Sequence, residues 1–184
     1  MNEITTILTE AATECLEGNR DKLWLAVKWR AKFEGWLKIE LAEELRQRSF
    51  EPRLEIPYWQ KERNSKKADI SLVIPGRTFH LLLKTANTNW RMKQVENIGR
   101  PITLNYEAIL DDINSLKTLL TDSQGIVLAV LFPTNATTGE DLQTKIERSA
   151  MGAKLLKEKP QINFADFRHG VRAGILVFGP YHGR

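Results

Sequence analysis

Asp69 and Lys84 are the two residues of this chain whose types and spacing point most directly to chemistry. Each lies in an apolar run, and Pro75-Gly76-Arg77 between the runs is a tight turn. The pattern predicts a β-hairpin, with Asp69 near the start of one strand (69–74) and Lys84 near the end of the next (79–85). A lysine in so apolar a strand needs a compensating anion, and Asp69 is the first choice. A carboxylate at that place also suits a hard cation, because Mg²⁺ takes oxygen ligands and usually needs one or two carboxylates plus waters. One carboxylate alone makes a weak site, so a second has to be found.

Strand alternation puts His80, Leu82 and Lys84 on one face and Phe79, Leu81 and Leu83 on the other. Leu82 is therefore an apolar residue beside the amine. The plain packing alternative sets Leu82 beneath the first helix, with Lys84 reaching solvent or pairing with a carboxylate. The helical stretch before the hairpin offers acids. At roughly 100° per residue, Glu40 and Glu44 share an arc with Phe33, Trp36 and Leu37. Carboxylates on an apolar face are unusual, and at i, i+4 they repel unless a positive centre stands between them. A metal ion or Lys84 is one such centre; a pairing of Glu44 with Arg48 on the solvent side is the other reading. Glu40 is the better candidate of the two, with Glu34 and then Glu55 behind it.

The elements that must hold these residues follow from periodicity. Residues 3–17 read as a helix closed by Gly18-Asn19, and 21–48 as one long amphipathic helix or two short ones. Residues 54–59 read as a strand that Pro57 marks as an edge or a bulge, followed by a polar loop from 60 to 67. After the hairpin come a loop with one short irregular helix over 86–103 and a helix over 105–121. A buried strand over 126–132 runs apolar without alternation, as central strands do. A helix over 139–157 and a strand over 171–178 complete the chain. Helix-connected strands beside a meander imply an α/β fold, a mixed central β-sheet flanked by helices on both faces.

The chain has 184 residues, enough for one domain with a sizeable core. It has no apolar run of membrane-spanning length and no basic-then-apolar leader after Met1, so the expectation is a cytoplasmic protein with no membrane partner. Cys15 is its only cysteine, which excludes an intrachain disulfide and a cysteine-rich zinc cluster. The net charge is +4, with Arg46, Arg48, Arg53, Lys61, Arg63, Lys66 and Lys67 crowded ahead of Asp69 against Glu51, Glu55 and Glu62. That suits a polyanion, and equally a solvated strand edge protected by charge. Trp90 and Arg91 follow the lysine strand, where they would contact a sugar-phosphate backbone or an unpaired base; Trp90 capping the core is the blander reading. Five tryptophans also leave room for a homo-oligomeric interface.

With Asp69 and Lys84 on successive strands after an acid-bearing helix, residues 30–135 resemble the PD-(D/E)XK nuclease superfamily, the restriction-endonuclease-like proteins. The resemblance implies a single α/β/α sandwich domain over residues 1–184 with an N-terminal helical extension. It implies a nuclease using Mg²⁺ or Mn²⁺, with nucleic acid, DNA first, as partner. The first motif acid matches Asp69 and the motif lysine, which positions and activates a water, matches Lys84. Leu82 falls where the second acid belongs, and Ala68 precedes the Asp. The expected metal ligands are then Asp69, a relocated carboxylate at Glu40 and the Leu83 carbonyl, with Lys66, Lys67, Trp90 and Arg91 on the nucleic acid. Loss of the second acid also implies the alternative, an inactive nuclease fold that binds nucleic acid or a protein.

Overall fold

Three helices lead the chain: α1 (Glu3–Gly18), α2 (Arg20–Lys28) and α3 (Glu34–Gln47). The meander β1 (Pro52–Lys61), β2 (Asn64–Ile74) and β3 (Arg77–Asn87) follows. After it come α4 (Ile102–Ser115), β4 (Ser123–Thr134), α5 (Ala136–Gly152), β5 (Ile162–Asp166) and β6 (Arg172–His182). The computed structural model describes residues 3–61, 64–88, 90–96, 102–116, 119, 123–152 and 160–182. The six strands form one sheet in the order β1-β2-β3-β4-β6-β5. Among the described strands only β3 and β4 pair in parallel, because α4 carries the chain back across the sheet between them.

Helices α1 to α3 cover one face of this sheet and α4 and α5 the other, which makes an α/β/α sandwich. Every residue of β4 is buried. Ile126, Leu128, Val130 and Phe132 join the core under α1–α3, while Val127, Ala129 and Leu131 join the core under α4 and α5. Full burial of one such branched side chain contributes roughly 1.5–3 kcal/mol. The absence of alternation in this run is thus the consequence of two covered faces.

The helical stretch 21–48 resolves into two helices. Arg30 breaks it with a left-handed φ of 54°, so no proline is needed. Strand β1 lies at the sheet edge and its register shifts between Pro57 and Trp59, as Pro57 suggested. The polar loop expected over 60–67 is largely strand, because β1 and β2 stay paired out to Lys61 and Asn64. The short edge strand β5 was not anticipated, five residues being too few to carry a period. In the segment 86–103, β3 runs on to Asn87 and α4 begins at Ile102. No irregular helix lies between them among the described residues. The expected ends of the third and fourth helices, 117–118, 120–121 and 153–157, fall outside the described residues. No described helix is long and apolar enough to cross a membrane.

Helix α1 buries Leu8, Ala11, Ala12, Cys15 and Leu16 against α3 and the β5–β6 end of the sheet. Burial pushes the Cys15 thiol up to about 12, with Glu44 and Glu40 adding to the rise. A thiolate is the reactive form. Native protein should therefore resist alkylation by iodoacetamide at neutral pH and react stoichiometrically once unfolded, as read by intact mass. Rapid modification of the native chain would show that α1 opens readily.

Candidate functional site

The ladder between β2 and β3 runs from Ile74 and Arg77 only as far as Ile70 and Leu81. Beyond it, β2 stays with β1 and leaves the edge of β3. The strand turns over at this point: Ile70 and Leu72 pack under α1–α3, whereas Ala68 packs under α4. Asp69 sits at the turnover. Its Oδ2 accepts a hydrogen bond from the Leu83 N–H at 2.8 Å, so a carboxylate takes the donor that the ladder has released.

Two residues further along β3 the pattern repeats. The Thr85 N–H donates to Glu34 Oε2 at 2.9 Å. Glu34 is the first residue of α3, and α3 packs on β1, β2 and β3, which aims that first turn at the strand. Donors two residues apart on one strand edge are about 7 Å apart. Asp69 and Glu34 therefore stand side by side along the released edge. The space opened is a cleft of about 400 Å³ whose walls include Tyr58, Lys66, Lys67, Leu82, Lys84 and Asp112.

Lys84 leaves β3 toward α4, where its Nζ lies 3.2 Å from Asp112 Oδ2. Asp69, the partner expected from the sequence, is not the one Lys84 meets. Burial works against the ammonium, but Asp112, Glu34 and Asp69 outweigh it and the Lys84 pKa rises. Burial also raises the Asp112 pKa, with Lys84 pulling it back and Glu34 and Asp69 pushing it further. The Tyr58 hydroxyl bonds Ser115 Oγ at 3.0 Å beside this pair, and burial raises its pKa too.

Lys38, one turn after Glu34 on α3, reaches Asp69 from the side of the sheet that α3 covers. It bonds Glu55 and lies 3.5 Å from Asp69 Oδ1. The hydrogen bond to Glu55 is the main reason its pKa is raised. Register places Glu55 across from Asp69, since Leu54 faces Ile70 and Ile56 faces Ala68. Two carboxylates opposed on neighbouring strands repel, and Lys38 stands between them. Glu55 also carries a left-handed φ of 56°, a strained state for a residue with a side chain.

Glu40 does not line the cleft. Its charge adds to the rise of the Cys15 thiol pKa, and α1, which carries Cys15, packs on α3. Glu44 is held by Arg48 at 2.9 Å, the solvent-side pairing that was the other reading. Leu82 is buried under α4, not under the first helix, and forms part of the cleft wall. Lys66 and Lys67 are exposed on the cleft rim. Trp90 is 41% exposed and so does not cap the core; Arg91 beside it is exposed as well. His80 is buried, with Nδ1 2.8 Å from Ser71 Oγ, a packing role.

The sequence reading missed Lys38, Asp112 and Tyr58. Asp112 carried a signal, for it lies on the helical stripe of Ile109, Ile113 and Leu116, where an acid needs a partner. No family model, curated protein or solved structure matches this chain.

The donor set can be tested against a divalent cation. All of its ligands are hard oxygens. Glu34 and Asp69 each use one oxygen on a backbone N–H, and an ionised carboxylate keeps further lone pairs. The Leu83 carbonyl leaves the strand on the same edge as its N–H. Among the described residues no three acids, histidines or cysteines converge into a closed cage. Two carboxylates with waters completing the shell is the usual arrangement for Mg²⁺, and the donor types fit that; Lys38 Nζ, 3.5 Å from Asp69 Oδ1, has to give way to the ion.

Proposed function

We propose that the cleft is the active site of a divalent-metal-dependent phosphodiesterase acting on nucleic acid, of the kind the PD-(D/E)XK resemblance implies. The observation that carries this reading is the pair of carboxylates, Asp69 and Glu34, fixed on the N–H groups of Leu83 and Thr85 with Lys84 next to them. In this reading Glu34 takes the part first given to Glu40. Asp69, Glu34 and the Leu83 carbonyl would hold Mg²⁺ or Mn²⁺, which when bound supplies charge neutralisation at phosphate and an activated water.

The protein's own groups do the rest. Lys84 is an ammonium at neutral pH because its surrounding carboxylates raise its pKa, so it donates hydrogen bonds and does not accept a proton. Its task is to orient the attacking water and stabilise charge that grows on the phosphate. Asp112 holds that ammonium in place at 3.2 Å. Lys66 and Lys67 on the rim meet neighbouring phosphates, which makes binding steeply salt-dependent.

A second reading, an inactive nuclease fold that binds nucleic acid, draws on Leu82 in the wall and on Lys38 placing an ammonium at Asp69. Cleavage of labelled single- and double-stranded DNA in Mg²⁺ or Mn²⁺ decides between them. Asp69→Asn and Glu34→Gln should each lose about 100-fold or more in rate, the scale of several kcal/mol of lost charge stabilisation. Glu40→Gln should cut like wild type. A folded wild type that never cuts, yet binds DNA in EDTA, leaves only the second reading.

A further inference from the structure

Beyond Lys84 the chain leaves the sheet at Thr88, whose N–H donates to the Phe132 carbonyl at 2.8 Å. The segment that follows is tied down from below. Met92 and Val95 pack against the core under α1–α3, and the Glu96 N–H donates to the Lys28 carbonyl at 2.8 Å. Arg30 is 3% exposed, and its guanidinium donates to the carbonyls of Thr88, Trp90 and Glu96. A buried cation is thus used to fix loop backbone, with carbonyls rather than a carboxylate as its partners.

What this anchoring leaves outside is aromatic and basic. Trp29, adjacent to the clamp residue, is 54% exposed, and Trp90, whose carbonyl the clamp holds, is 41% exposed. Lys28 Nζ lies 5.8 Å from the centre of the Trp29 ring. Lys32, Arg91 and Lys93 are exposed on the same two segments, 28–32 and 90–96, where Glu96 is the one carboxylate. Two rings left in water on a rigid support among cations match bases attached to phosphates. They suit unpaired bases in particular, because in a duplex each base face is already covered by its neighbours.

Resting on the reading of the cleft as a nucleic-acid site, we infer that Trp29 and Trp90 form a stacking platform for unpaired bases, so that the substrate strand is single-stranded where it meets the cleft. Lys28, Arg91 and Lys93 meet its phosphates. Thr88 lies about 13 Å along β3 from Lys84, so a strand held on the platform continues toward the carboxylates within a short run of nucleotides. Base–aromatic stacking is sequence-tolerant and is worth about 1–3 kcal/mol per base.

The experiment is fluorescence anisotropy of labelled oligothymidine, oligouridine and a DNA duplex of equal length, in EDTA so that nothing is cut. Wild type should bind the single strands more tightly than the duplex. Trp29→Ala and Trp90→Ala should each weaken single-strand binding roughly 5- to 150-fold and leave the weaker duplex binding nearly unchanged, with Trp90→Phe recovering most of the loss. Unchanged single-strand affinity in both alanine variants, with circular dichroism confirming the fold, overturns the platform; so does an equal loss on duplex. A protein docking on these rings instead would give that first result. The cleavage assay reads the other proposal separately. Cutting that ignores the tryptophans sinks the platform alone, and tryptophan-dependent binding without cutting sinks the nuclease alone.

Discussion

Leu82→Glu should create a tighter divalent-cation site in the cleft at a cost in stability, and both changes should be large. Leu82 lies two residues before Lys84 on the same face of β3 and forms part of the cleft wall. A carboxylate there adds a third acid to Asp69 and Glu34 and turns an open donor pair toward a cage. Metal-free protein should lose about 3–4 kcal/mol, from the transfer energy of a buried leucine and the desolvation of a charge under α4. Mn²⁺ should restore much of it, because a cation at 100 times its Kd stabilises by about 2.7 kcal/mol. Thermal denaturation with and without Mn²⁺ reads both effects. Leu82→Gln is the control, similar in shape and uncharged, and should be destabilised without any recovery. If the Glu variant shows no Mn²⁺-dependent shift beyond wild type and the Gln control, the cleft does not assemble a metal site around Asp69.

How much of this was legible beforehand depends on whether a residue's partner was local. The hairpin that sets Asp69 and Lys84 on the walls of one cleft was readable, because turn and strand signals lie within one short stretch. The central position of β4 was readable from its unbroken apolar run. Glu40 was misplaced for a physical reason: the apolar stripe of α3 packs against α1 as well as the sheet. An acid at the stripe's edge therefore does not have to face the strands. Glu34 gains its position from being the first residue of α3, a start that neither a proline nor a capping side chain marks, and from the Thr85 N–H that it accepts. The Lys84–Asp112 pair joins β3 to α4 across the intervening segment. The strand pattern shows that Lys84 needs an anion; only packing decides which.

Arg30→Met should cost about 3–5 kcal/mol of stability, a large loss for one polar substitution. Three carbonyls, those of Thr88, Trp90 and Glu96, accept from one guanidinium that is 3% exposed. Hydrogen bonds to a charged group are worth about 1.5–3 kcal/mol each. Methionine fills the space but strands the buried Thr88 acceptor, while the part-buried carbonyls of Trp90 and Glu96 regain some water, so the loss stays below the sum of three such bonds. The left-handed φ of 54° at this position remains a strain in either chain and does not offset it. For a domain of this size the midpoint of thermal unfolding should fall by roughly 10 °C. Arg30→Lys should recover less than half, since a single ammonium cannot span the fork that reaches three separated carbonyls. The same clamp carries the loop on which Trp90 stands, so hydrogen exchange should accelerate over residues 90–96 more than in β4. Single-strand affinity should drop with it, while the Mn²⁺ response of the cleft persists, because Asp69 and Glu34 are held by β3 donors that Arg30 does not touch. If exchange over 90–96 is unchanged in Arg30→Met, the guanidinium does not hold the loop, and the rigidity that the stacking platform requires must come from Met92 and Val95.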